Sequence, residues 1–219
     1  MNAIKMMLVD IRRSKFQMFF IGVFLVVAIF MMSGKADSAF VGILYMNFAA
    51  VILAAQPFQL ELRQEAGFLY LLPVTRAERI VGRYLYGACL PVIVSIIILI
   101  LGMVHLLPLE DGFLGIFVQL GICFTISLIV ISIQYLIFYA IGRVKSLQLA
   151  GIIMMAPGFI MFFGISYLIE TRVDAWMDFY TWMSQHLIQV TLVFLAVGIC
   201  IWAAGIGLSY LITKKRDYI

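Results

Sequence analysis

A chain of 219 residues that is 65% hydrophobic and 12% charged is far more apolar than a soluble domain, which is about half apolar and about a quarter charged. Most of it belongs in a bilayer, and little is left for a separate soluble domain. The net charge of +4 points to no nucleic acid, because it is gathered at one side of the spans described below. The three cysteines, Cys89, Cys123 and Cys200, lie in apolar runs and read as small buried hydrophobes rather than as a disulfide framework or a metal site.

The first residues form a basic amphipathic lead-in, an elbow helix over 1–15. Ile4, Met7, Leu8 and Ile11 share one face, and Lys5, Arg12, Arg13 and Lys15 supply charge. Such a helix lies flat on an anionic inner leaflet, so membrane lipid is its expected partner. No cleavable signal peptide is expected, since the apolar run behind it is long and lacks a small-residue cleavage pattern.

Six apolar runs follow, each long enough to cross a bilayer of about 20 helical residues. They are Phe16–Met32, Ser38–Gln56, Tyr84–His105 with Pro91 inside it, Phe113–Ile141, Leu147–Ile169 interrupted by Ala156-Pro157-Gly158, and Leu187–Ile212. The fourth exceeds a bilayer's need and has to tilt, bend or protrude. Alternate connections carry 13 of the Lys and Arg residues, and the other side carries only Lys35 and Arg172. The positive-inside rule then puts both termini in the cytoplasm. The expected fold is an all-α integral membrane protein, one transmembrane domain over 1–219 with six helices and both ends inside.

Between spans two and three lies the most polar stretch, Gln56–Arg83, with seven charged residues. Glu61 and Glu65 share a helix face. Pro73 stops that helix, because proline disfavours helical geometry in the residue before it. Thr75 and Glu78 then form a capping box, which starts a second helix at Arg76 that runs through Arg79, Arg83 and Tyr84. On the outer side the connections are acidic. Over 170–186 the spacing of Val173, Trp176, Tyr180 and Met183, with Asp174 and Asp178 on another face, predicts an interfacial helix. Trp176, Tyr180 and Trp182 belong to its aromatic belt; they anchor it, or close an outward path as a gate.

Catalytic chemistry finds little support. No charged residue lies well inside a span. His105 and His186 sit near outer span ends, and the sequence has neither an HExxH zinc motif nor a P-loop. Gly164-Ile165-Ser166-Tyr167 with His186 is a short match to an intramembrane serine protease. Mid-membrane charge for proton or sodium coupling is missing too. The mild polar groups Asn47, Ser95, Gln119, Thr125, Ser127, Ser132, Gln134, Thr191 and Ser209 line a soft path or bond neighbouring helices, and Ala50-xxx-Ala54 and Ala203-xxx-Gly207 allow close packing. The chain is therefore no enzyme, holds no cofactor or metal, and any energy it uses arrives from a partner.

The residues Glu65-x-Gly67-Phe68, Leu71-Leu72-Pro73-Val74-Thr75-Arg76 and Ile80-Val81-x-Arg83-Tyr84-Leu85 resemble the motif of ABC-2 type (type V exporter-like) permeases. Small bacterial members such as the permeases of phenol-soluble modulin exporters are similar. Thr75 stands where serine is common there and Arg83 where lysine is common. The resemblance implies a coupling segment over 57–83, with Glu61, Arg63, Glu65, Gly67 and Phe68 contacting an ATPase. It also implies that Pro73, Thr75, Arg76, Glu78, Arg79 and Arg83 pass motion to span three. Two P-loop ATPases would bind ATP and magnesium, beside a second permease copy or a sister permease, in a bacterial cell membrane. Amphipathic or lipid-like cargo, such as cytolytic or antimicrobial peptides, follows by the same resemblance. The other functions weighed are a vitamin importer's membrane subunit, a peptide sensor or immunity protein, and the protease.

Overall fold

The structure is a computed structural model that describes residues 2–14, 37–62, 74–103, 112–141 and 185–215, with isolated positions among 19–29 and 149–182. Every regular element among the described residues is an α-helix: α1 (Asn2–Arg13), α2 (Asp37–Ala54), α3 (Gln56–Leu62), α4 (Arg76–Met103), α5 (Gly112–Ile141) and α6 (Leu187–Lys215). Arg76–Met103, Ile116–Ile141 and Leu187–Lys215 are long and apolar enough to cross a membrane. α4, α5 and α6 have 28, 30 and 29 residues, which at a rise of 1.5 Å is about 42–45 Å each. A hydrocarbon core of about 30 Å leaves several turns of each helix beyond it, as the length of the fourth run requires. The first and fifth apolar runs fall mostly outside the described residues.

Paired contacts fix the directions of the helices. Ser127 of α5 donates to Asn47 Oδ1 of α2 at 3.2 Å, and Tyr135 reaches the end of α2 at Ala54. α2 and α5 therefore run the same way. A Cβ on Gly121, Gly198 or Gly205 would meet Thr191, Thr125 or Ser132 respectively, so α6 runs parallel to α5. α4 is antiparallel to them: Gly87 lies at Tyr135, and Gly102 lies at Ile116. One end of the bundle thus gathers α1, the end of α2, the start of α4 and the ends of α5 and α6.

Large apolar side chains fill the centre between α2, α4 and α5, among them Ile43, Met46, Leu90, Ile98 and Ile131. α6 joins from the side through a stripe of small residues. Thr191, Gly198 and Gly205 recur every seven residues on its buried face, followed by Ser209 and Thr213. A seven-residue repeat keeps one face against a parallel neighbour at a shallow crossing angle. This corrects the expectation for Ala203-xxx-Gly207. Both residues are exposed, and nothing lies within 4 Å of a Cβ built on Gly207. Small size marked the wrong face, because large residues flank both stripes and only the partner helix distinguishes them. Ala50 and Ala54 are fully buried.

α1 is not a free surface helix. Met6, Asp10 and Ser14 form its buried stripe, one turn apart, and a Cβ on Gly82 of α4 would stand 2.7 Å from the Ala3 carbonyl oxygen and 2.8 Å from Met6 Cβ. The lead-in helix therefore lies directly on the α4 backbone. Of the face expected to meet lipid, Ile4 and Leu8 are exposed, whereas Met7 and Ile11 pack against the core. The interior takes part of that apolar face because Gly82 opens room for it.

Candidate functional site

The start of α4 is built by its own sequence. The Thr75 N–H donates to Glu78 Oε2 at 3.0 Å, and the Glu78 N–H donates to Thr75 Oγ1 at 3.3 Å. Both bonds of the capping box form, and they satisfy donors that a first helical turn leaves open. Arg76 is exposed, and Glu78 and Arg79 are half-buried. Arg83, two turns on, is only 2% exposed. Its guanidinium lies over the Phe58 ring, 4.5 Å from the centroid. A planar, weakly hydrated cation suits an aromatic face in a way that an ammonium does not.

Phe58 is at the first turn of α3, and α5 encloses it from the other side. Its ring stacks on Phe138 at 4.7 Å and 6°, meets Tyr139 edge-on at 5.2 Å, and lies 4.9 Å from Tyr135. Tyr135, Phe138 and Tyr139 are spaced i, i+3, i+4, and so present one helical face.

The bend that delivers Phe58 to this place follows from Pro57. In a continuous helix the Leu53 carbonyl would accept from residue 57, and a proline has no N–H to give. Around the bend the chain tightens to three-residue bonds: Ala55 N–H to Ile52 O at 3.3 Å, and Phe58 N–H to Ala55 O at 3.2 Å. The carbonyls of Leu53 and Ala54 lose their helical donors and sit in the interior, where an unmet carbonyl is costly. Tyrosine hydroxyls meet them. Tyr135 Oη donates to Ala54 O at 2.6 Å, and Tyr86 Oη donates to Leu53 O at a longer 3.5 Å.

The junction extends further. Asp10 of α1 and Ser14 just after it lie beside the Tyr86 phenol, and both are buried. Tyr84 bonds Ser209 of α6 at 2.9 Å and packs edge-on to Tyr135 at 5.0 Å and Trp202 at 6.1 Å. Gly205 gives Tyr84 its room, since a Cβ there would come within 3.1 Å of the hydroxyl. The six helices α1 to α6 therefore meet within a few side chains of the α2–α3 bend. Among the described residues no group of three His, Cys, Asp or Glu is placed to hold a metal ion. The arrangement is mechanical, a bend whose backbone is held by side chains of other helices.

Of the residues singled out in the sequence, Thr75, Arg76, Glu78, Arg79 and Arg83 share the start of α4, and Glu61 belongs to α3. Arg63, Glu65, Gly67, Phe68 and Pro73 lie outside the described residues, as do Trp176, Tyr180 and Ser166. Trp182 is exposed and stacks on His186 at 5.5 Å, and a His186 ring nitrogen is 3.2 Å from the Trp182 carbonyl. Asp174 and Asp178 are exposed. Sequence reasoning missed Asp10, Tyr86 and the α5 aromatic face, and it named Tyr84 without its partner. The i, i+3, i+4 spacing on α5 was a legible signal. Asp10 gave none, because a carboxylate in a basic helix reads as solvated.

Of three comparisons with known proteins, one gives a match. The chain matches the family described as ABC-2 family transporter protein over residues 5–215. No curated protein matches it, and no solved structure does. The match takes in every helix described above, from α1 to the end of α6, and covers nearly the whole sequence. The chain is a membrane permease of the ABC transporter type and belongs to the ABC-2 transporter family.

Proposed function

We propose that this chain is one permease half of an ATP-driven exporter in a bacterial cell membrane, with six spans and both termini in the cytoplasm. The observation that carries the reading is the α2–α3 bend. A helix that crosses the bundle ends at Ala54, its last bonds tighten, and α3 leads on toward the charged stretch of the sequence, at the end of the bundle where α1 and the start of α4 also lie. Arg12, Arg13, Arg76, Arg79, Lys214 and Lys215 belong to the helix ends gathered there, which supports a cytoplasmic position for that end. Helix directions support the six spans: α2, α5 and α6 run toward this end and α4 runs away from it, so each of the three needs a prior traverse outward.

In this reading Glu61, Arg63, Glu65, Gly67 and Phe68 dock on a P-loop ATPase that binds ATP and magnesium. Pro73, Thr75, Arg76, Glu78, Arg79 and Arg83 relay its movement to α4. Two permeases, two copies of this chain or this chain with a sister, rock as rigid bodies against each other, and cargo passes between them. Trp176, Tyr180 and Trp182 close the outer side. The apolar spans fit amphipathic peptide or lipid-like cargo. The test is a pull-down of the tagged protein from its native membrane in mild detergent, with and without Glu65→Lys plus Arg76→Glu. A P-loop ATPase that accompanies the wild type and is lost with the double change supports the reading. No ATPase with the wild type in several detergents overturns it.

A further inference from the structure

The bend between α2 and α3 has two ways to satisfy the same backbone. In the form seen here the Phe58 N–H bonds Ala55 O, and the Tyr135 hydroxyl takes Ala54 O. In a straightened form the Phe58 N–H would return to Ala54 O, the ordinary helical partner, and the hydroxyl would be released. Two hydrogen bonds of the bent form give way to one, and the buried Tyr135 hydroxyl loses its acceptor, so the bent form is the favoured one and the Tyr135 bond is what favours it. Pro57 keeps Leu53 O without a helical donor in both, and in the bent form the Tyr86 hydroxyl meets it. An element with two discrete arrangements, one favoured by a single side-chain bond, is what a conformational switch needs.

We propose that the α2–α3 bend is a two-state pivot, and that Tyr135 and Tyr86 are the positioning residues that hold it in its bent state. The use of such a pivot, to relate movement of the charged segment to the spans, rests on the transporter reading; its geometry does not. The two hydroxyls come from different helices, α5 and α4, so a shift of either helix along the other changes which carbonyl is met. Gly87 is part of the device. A Cβ there would stand 2.7 Å from Tyr135 Oη and 2.9 Å from Ile131 Cγ2, so the hydroxyl reaches Ala54 only because position 87 lacks a side chain. Phe58 supplies the bent state's packing, between the Arg83 guanidinium and the Phe138 ring.

The experiment measures the distance between spin labels at positions 59 in α3 and 77 in α4, on a full-length chain with its three cysteines replaced. The parent protein gives one narrow distribution. Tyr135→Phe keeps the ring and removes the hydroxyl. It raises the share of a second, distinct distance about tenfold, equivalent to about 1.4 kcal/mol. Tyr86→Phe, whose bond is longer, gives a smaller rise, and Gly87→Ala reproduces the Tyr135→Phe change with the hydroxyl still present. Tyr84→Phe, which loses the Ser209 bond alone, leaves the distribution as in the parent. The pivot is overturned if Tyr135→Phe and the Tyr86→Phe, Tyr135→Phe double variant match the parent. It is equally overturned if Tyr84→Phe broadens the distances as much as they do, since that is general loosening. In complex with the co-purified ATPase, Tyr135→Phe retains the ATPase but loses the distance change that ATP produces in the parent. If no ATPase accompanies the parent protein the transporter reading falls, and the label distances in the chain alone still decide the pivot.

Discussion

The seam between α5 and α6 and the junction at the α2–α3 bend lie side by side and are built by opposite means. The seam is made by leaving side chains out. Gly121, Gly198 and Gly205 let Thr191, Thr125 and Ser132 come against bare backbone, and Thr125, Ser132 and Thr191 fold their hydroxyls back onto carbonyls of their own helices. The junction is made by filling space with Arg83, Phe58, Tyr84, Tyr135 and Phe138, whose polar ends close bonds that the backbone opened. A seam of small residues has one register and no slack, because its contacts are backbone to side chain at van der Waals distance. A junction of long side chains can exchange partners without opening a cavity. Rigid pairing and controlled bending are thus assigned to different parts of one bundle.

Substitutions at three positions probe that contrast. Gly198→Leu gives the largest effect. Even a Cβ there would lie 2.8 Å from Thr125 Cγ2, and overpacking such a site costs about 3 kcal/mol. Thermal unfolding in detergent, followed by loss of the monodisperse peak, drops markedly; an unchanged midpoint would mean the seam yields easily and the contrast is false. Arg83→Ala is next. It removes a buried cation from an aromatic face, a contact worth about 2 kcal/mol when desolvated, and leaves a void under Phe58. The same unfolding assay drops by less than with Gly198→Leu, and Arg83→Lys falls between parent and alanine because an ammonium keeps charge without a stacking plane. If lysine equals arginine, charge alone holds the junction. Gly207→Ala is the smallest and has the opposite sign. With open space around it, alanine adds about 0.5–1 kcal/mol of helical preference, so the midpoint holds or rises. A fall there would place a partner on the exposed face of α6.

What depends on local order is written in the residues themselves. Hydropathy located α4, α5 and α6, because a bilayer demands unbroken apolar length with internally bonded backbone. The capping box of Thr75 and Glu78 was readable to the atom, since both partners lie within one turn. Pro57 was in plain sight, but nothing in sequence order told which groups would meet the carbonyls it released. Tyr135 is 81 residues from Ala54 and Tyr84 is 125 residues from Ser209, and no local pattern encodes such pairs. The same limit applies to Arg83, Asp10 and the two small-residue stripes of α6. A charge reads as exposed, and a glycine as close-packed or not, only through the neighbour it meets. Only the tertiary structure decided these, because burial belongs to a pair of surfaces and a sequence presents one surface at a time.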